Sequence, residues 1–268
     1  MRAWESPRPV VLAHRAGAGQ YPENSRAAFA AMAHGGFRYV ETDVHACATG
    51  ELVLMHDEDL SRTTNGAGPI TAKTWDEVRK LKDLSGEAPL RLSEALDAFP
   101  DLTFNVDVKS PGAVEPMIKL LRQPGATDRM LVASFSESRL APIRAAVPAV
   151  RTSLGVAGVA RLVAASRLAR SRWTRGVLPG RGRTIALAQV PERFGRVPVV
   201  TARFLDLAHH LGIGVHVWTV NEAGDMARLL DMGVDGLVTD MPERARSIIE
   251  ARERRVAHRT SPYQNHSK

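Results

Sequence analysis

Short apolar or β-branched runs recur along the chain, and each is followed by a segment with helical periodicity. The first pair is the run Val10–Ala13 and a helix predicted over about 24–34, in which Phe29 and Met32 form an apolar stripe. This alternation is typical of parallel strands joined by helical crossovers. The other strand-like runs are 38–44, 103–108, 130–134, 151–155, 184–189, 214–219 and 236–239, with a further extended piece at 51–55.

The number of these units predicts the architecture. Eight strand-helix units in a chain of 268 residues favour a closed (β/α)8 barrel, whereas six or fewer would favour an open doubly wound sheet. No Gly-x-Gly-x-x-Gly follows the first run and no Walker loop occurs, so a nucleotide-binding sheet is the weaker interpretation. We therefore predict one barrel domain over 9–251. We expect a disordered basic tail over 252–268.

The segment 161–182 is longer than an ordinary connection between a strand and a helix. Its apolar residues Leu162, Leu168 and Trp173 alternate with many arginines, as in a basic amphipathic helix that makes weak contact with anionic lipid. A barrel helix with a solvated arginine face, followed by a flexible loop, explains the same residues. We favour that second interpretation because most charge runs are solvated surface.

Composition narrows the class of protein. With 44% hydrophobic and 24% charged residues, the chain is neither disordered nor fibrous. The single cysteine, Cys47, excludes an intramolecular disulfide framework, and we expect it to pack as a small apolar residue. No signal peptide and no spanning segment is visible, which predicts a cytoplasmic protein. The net charge of +7 favours phosphate-bearing partners, but with only 5% aromatic residues a nucleic-acid binder ranks last.

Acidic residues cluster where the predicted strands end, which is the catalytic end of a barrel of this kind. Glu41 and Asp43 are two positions apart on one strand and point to the same side, and Asp107 lies on an adjoining strand. Three converging carboxylates repel one another unless a cation lies between them or one is protonated. Oxygen ligands favour Mg²⁺, Ca²⁺ or Mn²⁺. The alternative is that these acids form structural ion pairs with arginines.

Other strand ends carry groups suited to proton transfer and to phosphate binding. His14 and His56 are the natural pair for proton transfer, because imidazole titrates near physiological pH. Arg15 and Lys109 supply positive charge for a phosphate. Trp218 offers a flat apolar wall. A tryptophan buried in the barrel would give the same pattern, so the role of Trp218 is open at this point.

These residues belong to longer strings in a fixed order from about residue 9 to 250. The strings include His14-Arg15-Ala-Gly, Pro22-Glu23-Asn24-Ser25, Glu41-Thr-Asp43-Val44, Leu54-Met-His56-Asp57, Arg62-Thr63-Thr64-Asn-Gly66, Val106-Asp107-Val-Lys109, Ser134-Phe135, Val217-Trp218-Thr219-Val220-Asn221 and Thr239-Asp240-Met-Pro242. In order and position they resemble the glycerophosphodiester phosphodiesterase family.

The resemblance implies a (β/α)8 barrel with a short inserted segment after the second strand, here 49–87. It implies hydrolysis of glycerophosphocholine or glycerophosphoethanolamine to sn-glycerol 3-phosphate and an alcohol. It also implies the roles of particular residues. By position, the acid-base pair would be His14 and His56. One divalent cation, Mg²⁺ or Ca²⁺, would be bound by Glu41, Asp43 and Asp107. The phosphate would contact Arg15 and Lys109, and Glu23 and Asn24 would shape the site.

Two positions depart from the family pattern. Asp107 stands where the family usually has glutamate, which leaves the choice between Mg²⁺ and Ca²⁺ open. Ala16 stands where the family has glycine, so we expect a small shift of the first loop. Two other functions remain open at this point: a lysophospholipase D-like enzyme on the same barrel, and a non-catalytic barrel that binds phosphate or lipid headgroups. The intact histidine pair argues against the second, because binding alone needs no proton transfer.

Overall fold

Eight parallel strands close into a barrel in the computed structural model, which describes residues 9–167 and 185–260. The ring closes at the first strand, where Leu12 lies opposite Tyr39 of the second strand and Val238 of the last. The predicted (β/α)8 fold is therefore confirmed. The strands are β1 (Val10–Ala13), β2 (Tyr39–Ala46), β3 (Leu52–Leu54), β4 (Thr103–Val108), β5 (Met130–Ala133), β6 (Arg151–Ser153), β7 (Ile185–Pro191), β8 (Arg193–Phe194), β9 (Val197–Pro198), β10 (Gly214–Trp218) and β11 (Gly236–Thr239).

Three of these strands lie outside the barrel ring. β3 pairs antiparallel with the end of β2, and β8 and β9 form a separate hairpin after β7. Helices follow the barrel strands and cover their outer faces, and one short helix lies in the insertion after β2. They are α1 (Arg26–His34), α2 (Trp75–Val78), α3 (Leu92–Ala98), α4 (Val114–Leu121), α5 (Glu137–Ala146), α6 (Val156–Arg167), α7 (Ala202–His210), α8 (Ala223–Met232) and α9 (Pro242–Thr260).

Apolar side chains fill two layers between the strands and the helices, which is where the helical stripes of the sequence place them. In one layer Phe29 of α1 packs on Phe104 of β4, with ring centroids 5.7 Å apart. The other layer is built around β7, β10 and β11 and includes Phe204 of α7. Inside the ring, Val10 and Leu12 of β1 and Val238 of β11 form a small buried apolar cluster.

The insertion after β2 has an apolar cluster of its own. Val53, Leu60, Ile70 and Val78 are fully buried there, and the free thiol Cys47 packs with them as expected. Because of this cluster and the pairing of β3 with β2, the insertion has a fixed position on the barrel.

Two sequence expectations concern the arginine-rich segment and the tail. α6 covers the start of 161–182, but 168–182 lie outside the described residues, so lipid contact through that segment stays a prediction. The tail differs from expectation, because α9 continues to Thr260, nine positions into the segment 252–268. Residues 261–268 are outside the described part. Among the helices of the described ranges, none combines the length and the apolar character that crossing a bilayer requires.

Candidate active site

Three carboxylates meet at the carboxyl ends of β2 and β4. The two strands are paired in register, so that Asp43 lies directly opposite Asp107, and Glu41 points to the same side two positions earlier. All three side chains are buried, with Asp43 only 1% exposed. The convergence predicted from the strand ends is therefore present in the structure.

The ammonium group of Lys109 lies between two of these acids. Its Nζ is 2.8 Å from Oδ1 of Asp43 and 2.9 Å from Oδ2 of Asp107. Burial alone would raise the pKa of Asp43, but the charge and hydrogen bond of Lys109 hold it below its usual value. We expected Lys109 to face a phosphate; here it neutralises the carboxylates instead.

Glu41 and Asp107 are less well compensated than Asp43. Burial and the charge of Asp43 raise the pKa of Glu41 to about 8, although the backbone N–H of Arg15 donates to its Oε2 at 3.1 Å. Burial also raises the pKa of Asp107, against the effect of Lys109. The Oδ1 atom of Asp107 is buried and has no hydrogen-bond partner. Burial therefore favours the protonated forms of Glu41 and Asp107 and so lowers the negative charge of the cluster.

His14 is held by a chain of hydrogen bonds that ends on the barrel wall. Its Nδ1 donates to Oδ1 of Asp240 at 2.7 Å, and Asn221 donates to the other oxygen of Asp240 at 2.8 Å. Its Nε2 lies 3.9 Å from Glu41. Burial would lower the pKa of His14, but the bond to Asp240 and the charges of Glu41 and Asp240 raise it above its ordinary value.

His56 is held by a second aspartate, in the insertion. Its Nδ1 donates to Oδ1 of Asp57 at 2.6 Å, and the Nε of Arg62 pairs with the other oxygen of Asp57. Arg62 also forms a bidentate pair with Glu23, both bonds being 2.8 Å, and Arg15 donates to the same carboxylate at 3.2 Å. Hydrogen bonds from Arg62 hold the pKa of Asp57 far below its usual range. A continuous line of ion pairs thus links His56 to the first loop.

The first loop has an unusual backbone. Arg15 (φ 48°), Ala16 (φ 61°) and Asn24 (φ 55°) are all in the left-handed region, which costs a non-glycine residue roughly 1–2 kcal/mol. The side chain of Asn24 offsets part of this cost, since its Oδ1 accepts from Thr42 at 2.7 Å and its Nδ2 donates to Asp43 at 3.4 Å. The glycine that the family pattern places at position 16 would adopt this φ without strain.

An aromatic pair stands beside Lys109. Phe135, two positions after the end of β5, meets the ring of Trp218 edge to face with centroids 5.6 Å apart. The Nζ of Lys109 lies 5.8 Å from the Phe135 centroid. Phe135 is 53% exposed. The predicted apolar wall therefore has two rings rather than Trp218 alone, and the position of Phe135 at a strand end was the signal for it.

Glu41, Asp43 and Asp107 are the residues that would bind a divalent cation. The chemistry of the donors fits, because the carboxylates are buried, Asp107 has an unpartnered oxygen, and the pKa of Glu41 is raised. With Lys109 between Asp43 and Asp107, however, no three His, Cys, Asp or Glu side chains in 9–167 and 185–260 are arranged as a ready metal site. Lys109 would have to leave this position for a cation to enter.

Comparison with known proteins agrees with the geometry. Residues 14–244 match the model of the glycerophosphoryl diester phosphodiesterase family. The chain belongs to this family. The resemblance inferred from the motifs is thereby confirmed, and the matched range contains all the site residues described above.

Relatives and solved structures extend the family match over nearly the whole chain. The probable glycerophosphodiester phosphodiesterase 2 of Mycobacterium tuberculosis is 35% identical, covering 91% of each chain. The glycerophosphodiester phosphodiesterase of Caldanaerobacter subterraneus is 29% identical, covering 88% of this chain and 96% of the other. A phosphodiesterase of Oleispira antarctica, solved with its product sn-glycerol-3-phosphate, shares the fold with a TM-score of 0.75 at 24% identity, covering 91% and 97%.

Proposed function

We propose that the protein hydrolyses glycerophosphodiesters, such as glycerophosphocholine and glycerophosphoethanolamine, to sn-glycerol 3-phosphate and an alcohol. A divalent cation, Mg²⁺ or Ca²⁺, takes part. The observation that carries this proposal is the pair of histidines, each with an aspartate on Nδ1, beside a buried cluster of carboxylates and cationic side chains. Membership of the family supports the same reaction.

The histidine pair supplies proton transfer. With Nδ1 of each ring committed to an aspartate, Nε2 is the nitrogen that exchanges a proton with the substrate. One histidine removes the proton of the nucleophile, and the other gives a proton to the leaving alkoxide. Attack by water yields glycerol 3-phosphate directly, whereas attack by the glycerol 2-hydroxyl yields a cyclic phosphate that a water molecule then opens. Asp240 and Asp57 fix the orientation of the two rings.

Charge on the diester is met by Arg15 and Lys109. Glu23 holds the guanidinium of Arg15, so that group approaches the non-bridging oxygens already oriented. Lys109 exchanges its contacts with Asp43 and Asp107 for the phosphate. Glu41, Asp43 and Asp107 would hold the cation, whose charge would neutralise a phosphoryl oxygen and stabilise the developing alkoxide.

The test is release of glycerol 3-phosphate from glycerophosphocholine and glycerophosphoethanolamine by the purified full-length chain. We expect product that disappears with EDTA and returns with Mg²⁺, Ca²⁺ or Mn²⁺. Turnover that persists in EDTA after prolonged dialysis would contradict a role for a divalent cation in the reaction. Turnover of lysophosphatidylcholine but of neither soluble diester would replace the proposed substrate with a lysophospholipid.

A further inference from the structure

Exposed apolar side chains of the described residues are concentrated at one end of the barrel. Each exposed large hydrophobic side chain lies in a segment that connects the carboxyl end of a barrel strand to the next helix on the barrel, or is the first residue of that helix. None in the described ranges lies on the connections at the opposite end. They are Tyr21, Leu84, Phe135, Val156, Phe194 and Val197. The end that carries the active site is therefore also the apolar end.

The hairpin of β8 and β9 lies at this end, between β7 and α7, and carries two of these side chains. Phe194 and Val197 are paired across the hairpin, so that they lie side by side on one face. Phe194 is 78% exposed. At the turn, Gly195 has φ +57°, and a side chain built on it would meet nothing within 4 Å. The tip of the hairpin therefore stands in open space.

The base of the hairpin is firmly attached. The carbonyl of Glu192 accepts from the N–H groups of Val199 and Val200 at 2.9 and 3.1 Å, and Arg167 of α6 donates to the carbonyl of Pro198 at 3.2 Å. The carboxylate of Glu192 is neutralised by Arg228 at 2.7 Å. A fixed base with an exposed tip is a geometry suited to docking, because little ordering is required on contact.

The charge of the tip identifies the kind of partner. Arg193 donates to the backbone carbonyl of Arg196 at 2.9 Å, and neither arginine forms an ion pair with a carboxylate of the described chain. Two uncompensated cations thus flank an exposed phenylalanine. Anionic lipid complements this pattern, since arginines bind lipid phosphates while the aromatic ring enters the boundary between headgroups and acyl chains.

We propose that the hairpin 193–198 docks the catalytic end of the barrel on an anionic lipid surface, with Phe194 inserted and Arg193 and Arg196 on lipid phosphates. The active site then faces the membrane, where deacylation of phospholipids supplies diesters to it. This proposal stands apart from the proposed reaction, because it concerns binding to lipid and not turnover.

Sedimentation with sucrose-loaded vesicles tests the proposal. We expect the full-length protein to bind vesicles of equal parts phosphatidylglycerol and phosphatidylcholine, to lose that binding in high salt, and to bind phosphatidylcholine alone weakly. R193Q/R196Q should weaken binding about 25-fold, since each cation near an anionic surface contributes about a factor of five. F194S should weaken it about tenfold, because the ring no longer leaves water.

The control removes the same charge from the opposite end of the barrel. Arg38 and Arg122 are exposed there, and R38Q/R122Q should bind the vesicles as the parent does. Equal loss in R38Q/R122Q would mean that only net charge matters and would overturn the proposal. If R193Q/R196Q and F194S bind the vesicles as the parent does, the hairpin is not the docking site and the lipid contact belongs to another segment, such as 161–182. A dimer that F194S converts to monomer, without lipid binding, would make the hairpin an interface between copies.

Discussion

Each of the two histidines of the site is oriented by a hydrogen bond from its Nδ1 to an aspartate, but the two aspartates belong to different parts of the molecule. His14 and its aspartate, Asp240, directly follow β1 and β11, which are hydrogen-bonded neighbours in the barrel. His56 and Asp57 belong to the insertion. The side chain of His14 is 19% exposed and that of His56 is 33% exposed. The barrel therefore fixes one histidine, whereas the position of the other depends on surface contacts.

Those surface contacts are ion pairs that can be changed without touching the barrel. Arg62 joins Asp57 to Glu23, and Glu23 joins Arg62 to Arg15. Because the two supports are separate, variants in each should affect activity and stability in different proportions.

Removal of either imidazole should have the largest effect. We expect His14→Ala and His56→Ala each to lower kcat about a thousandfold, since positioned proton transfer contributes roughly 10²–10⁴. Thermal unfolding should be nearly unchanged for His56→Ala, because its ring is part of no apolar core. Glycerol 3-phosphate release and circular dichroism measure the two effects. A variant that keeps a tenth of the parent kcat would remove that histidine from the mechanism.

Loss of charge on the supporting aspartates should have the next largest effect. Asp240→Asn and Asp57→Asn keep the size of the side chain but no longer stabilise the protonated ring, so we expect kcat to fall about a hundredfold and tenfold respectively. The smaller effect is expected for Asp57 because it is open to water. Steady-state kinetics should show the change in kcat and not in KM. Equal effects would contradict a difference between the two supports.

The barrel side should also be sensitive to acid, through a histidine away from the site. His216 lies opposite Gln189 on the inner wall, and burial lowers its pKa to about 4 from an ordinary value of 6.5. Below pH 6.5 the unfolded chain takes up a proton that the folded chain excludes, so stability falls as the pH drops towards 4. Between pH 7 and 5 the loss should be about 2 kcal/mol.

His216→Gln cannot titrate and provides the comparison. Urea unfolding at pH 7 and pH 5 should show a smaller acid loss for His216→Gln than for the parent, by about 2 kcal/mol. The same loss in both proteins would mean that His216 does not contribute.

A change at the ion pairs of the insertion should have the smallest effect. Arg62→Lys keeps the charge but not the bidentate contact with Glu23, and we expect kcat/KM to fall about fivefold. Hydrogen exchange should increase at 56–62 and stay constant in the barrel strands. The matched control is Arg26→Lys, since Arg26 also pairs with an acid of the insertion, Glu87, but only at 4.0 Å. If Arg26→Lys has the larger effect, the line from Glu23 to Asp57 is not what holds His56.

The sequence predicted the barrel side of this comparison better than the insertion side. Strand ends are visible as boundaries of apolar runs, and the period of two along a strand places Glu41 and Asp43 together, so His14 and the acids follow from general rules. Ion pairs between loops have no such period. The contacts of Arg62 with Asp57 and Glu23 therefore required the structure.

Two features of the barrel side also went beyond the sequence. Lys109 contacts Asp43 and Asp107 because two buried carboxylates need a cation nearby, and a strand pattern does not show which side chain provides it. Asp240 was visible at the end of β11, but its contact with His14 depends on closure of the barrel, which brings residues 226 positions apart together.

The most direct test of the account uses a diester whose leaving group needs no proton, the p-nitrophenyl ester of glycerol 3-phosphate. Release of p-nitrophenolate is measured for the parent, His14→Ala and His56→Ala. If one histidine is the acid and the other the base, one variant should regain at least about a hundredfold relative to its activity on glycerophosphocholine, and the other should not. Recovery of both variants, or of neither, would contradict the division of roles between the two histidines.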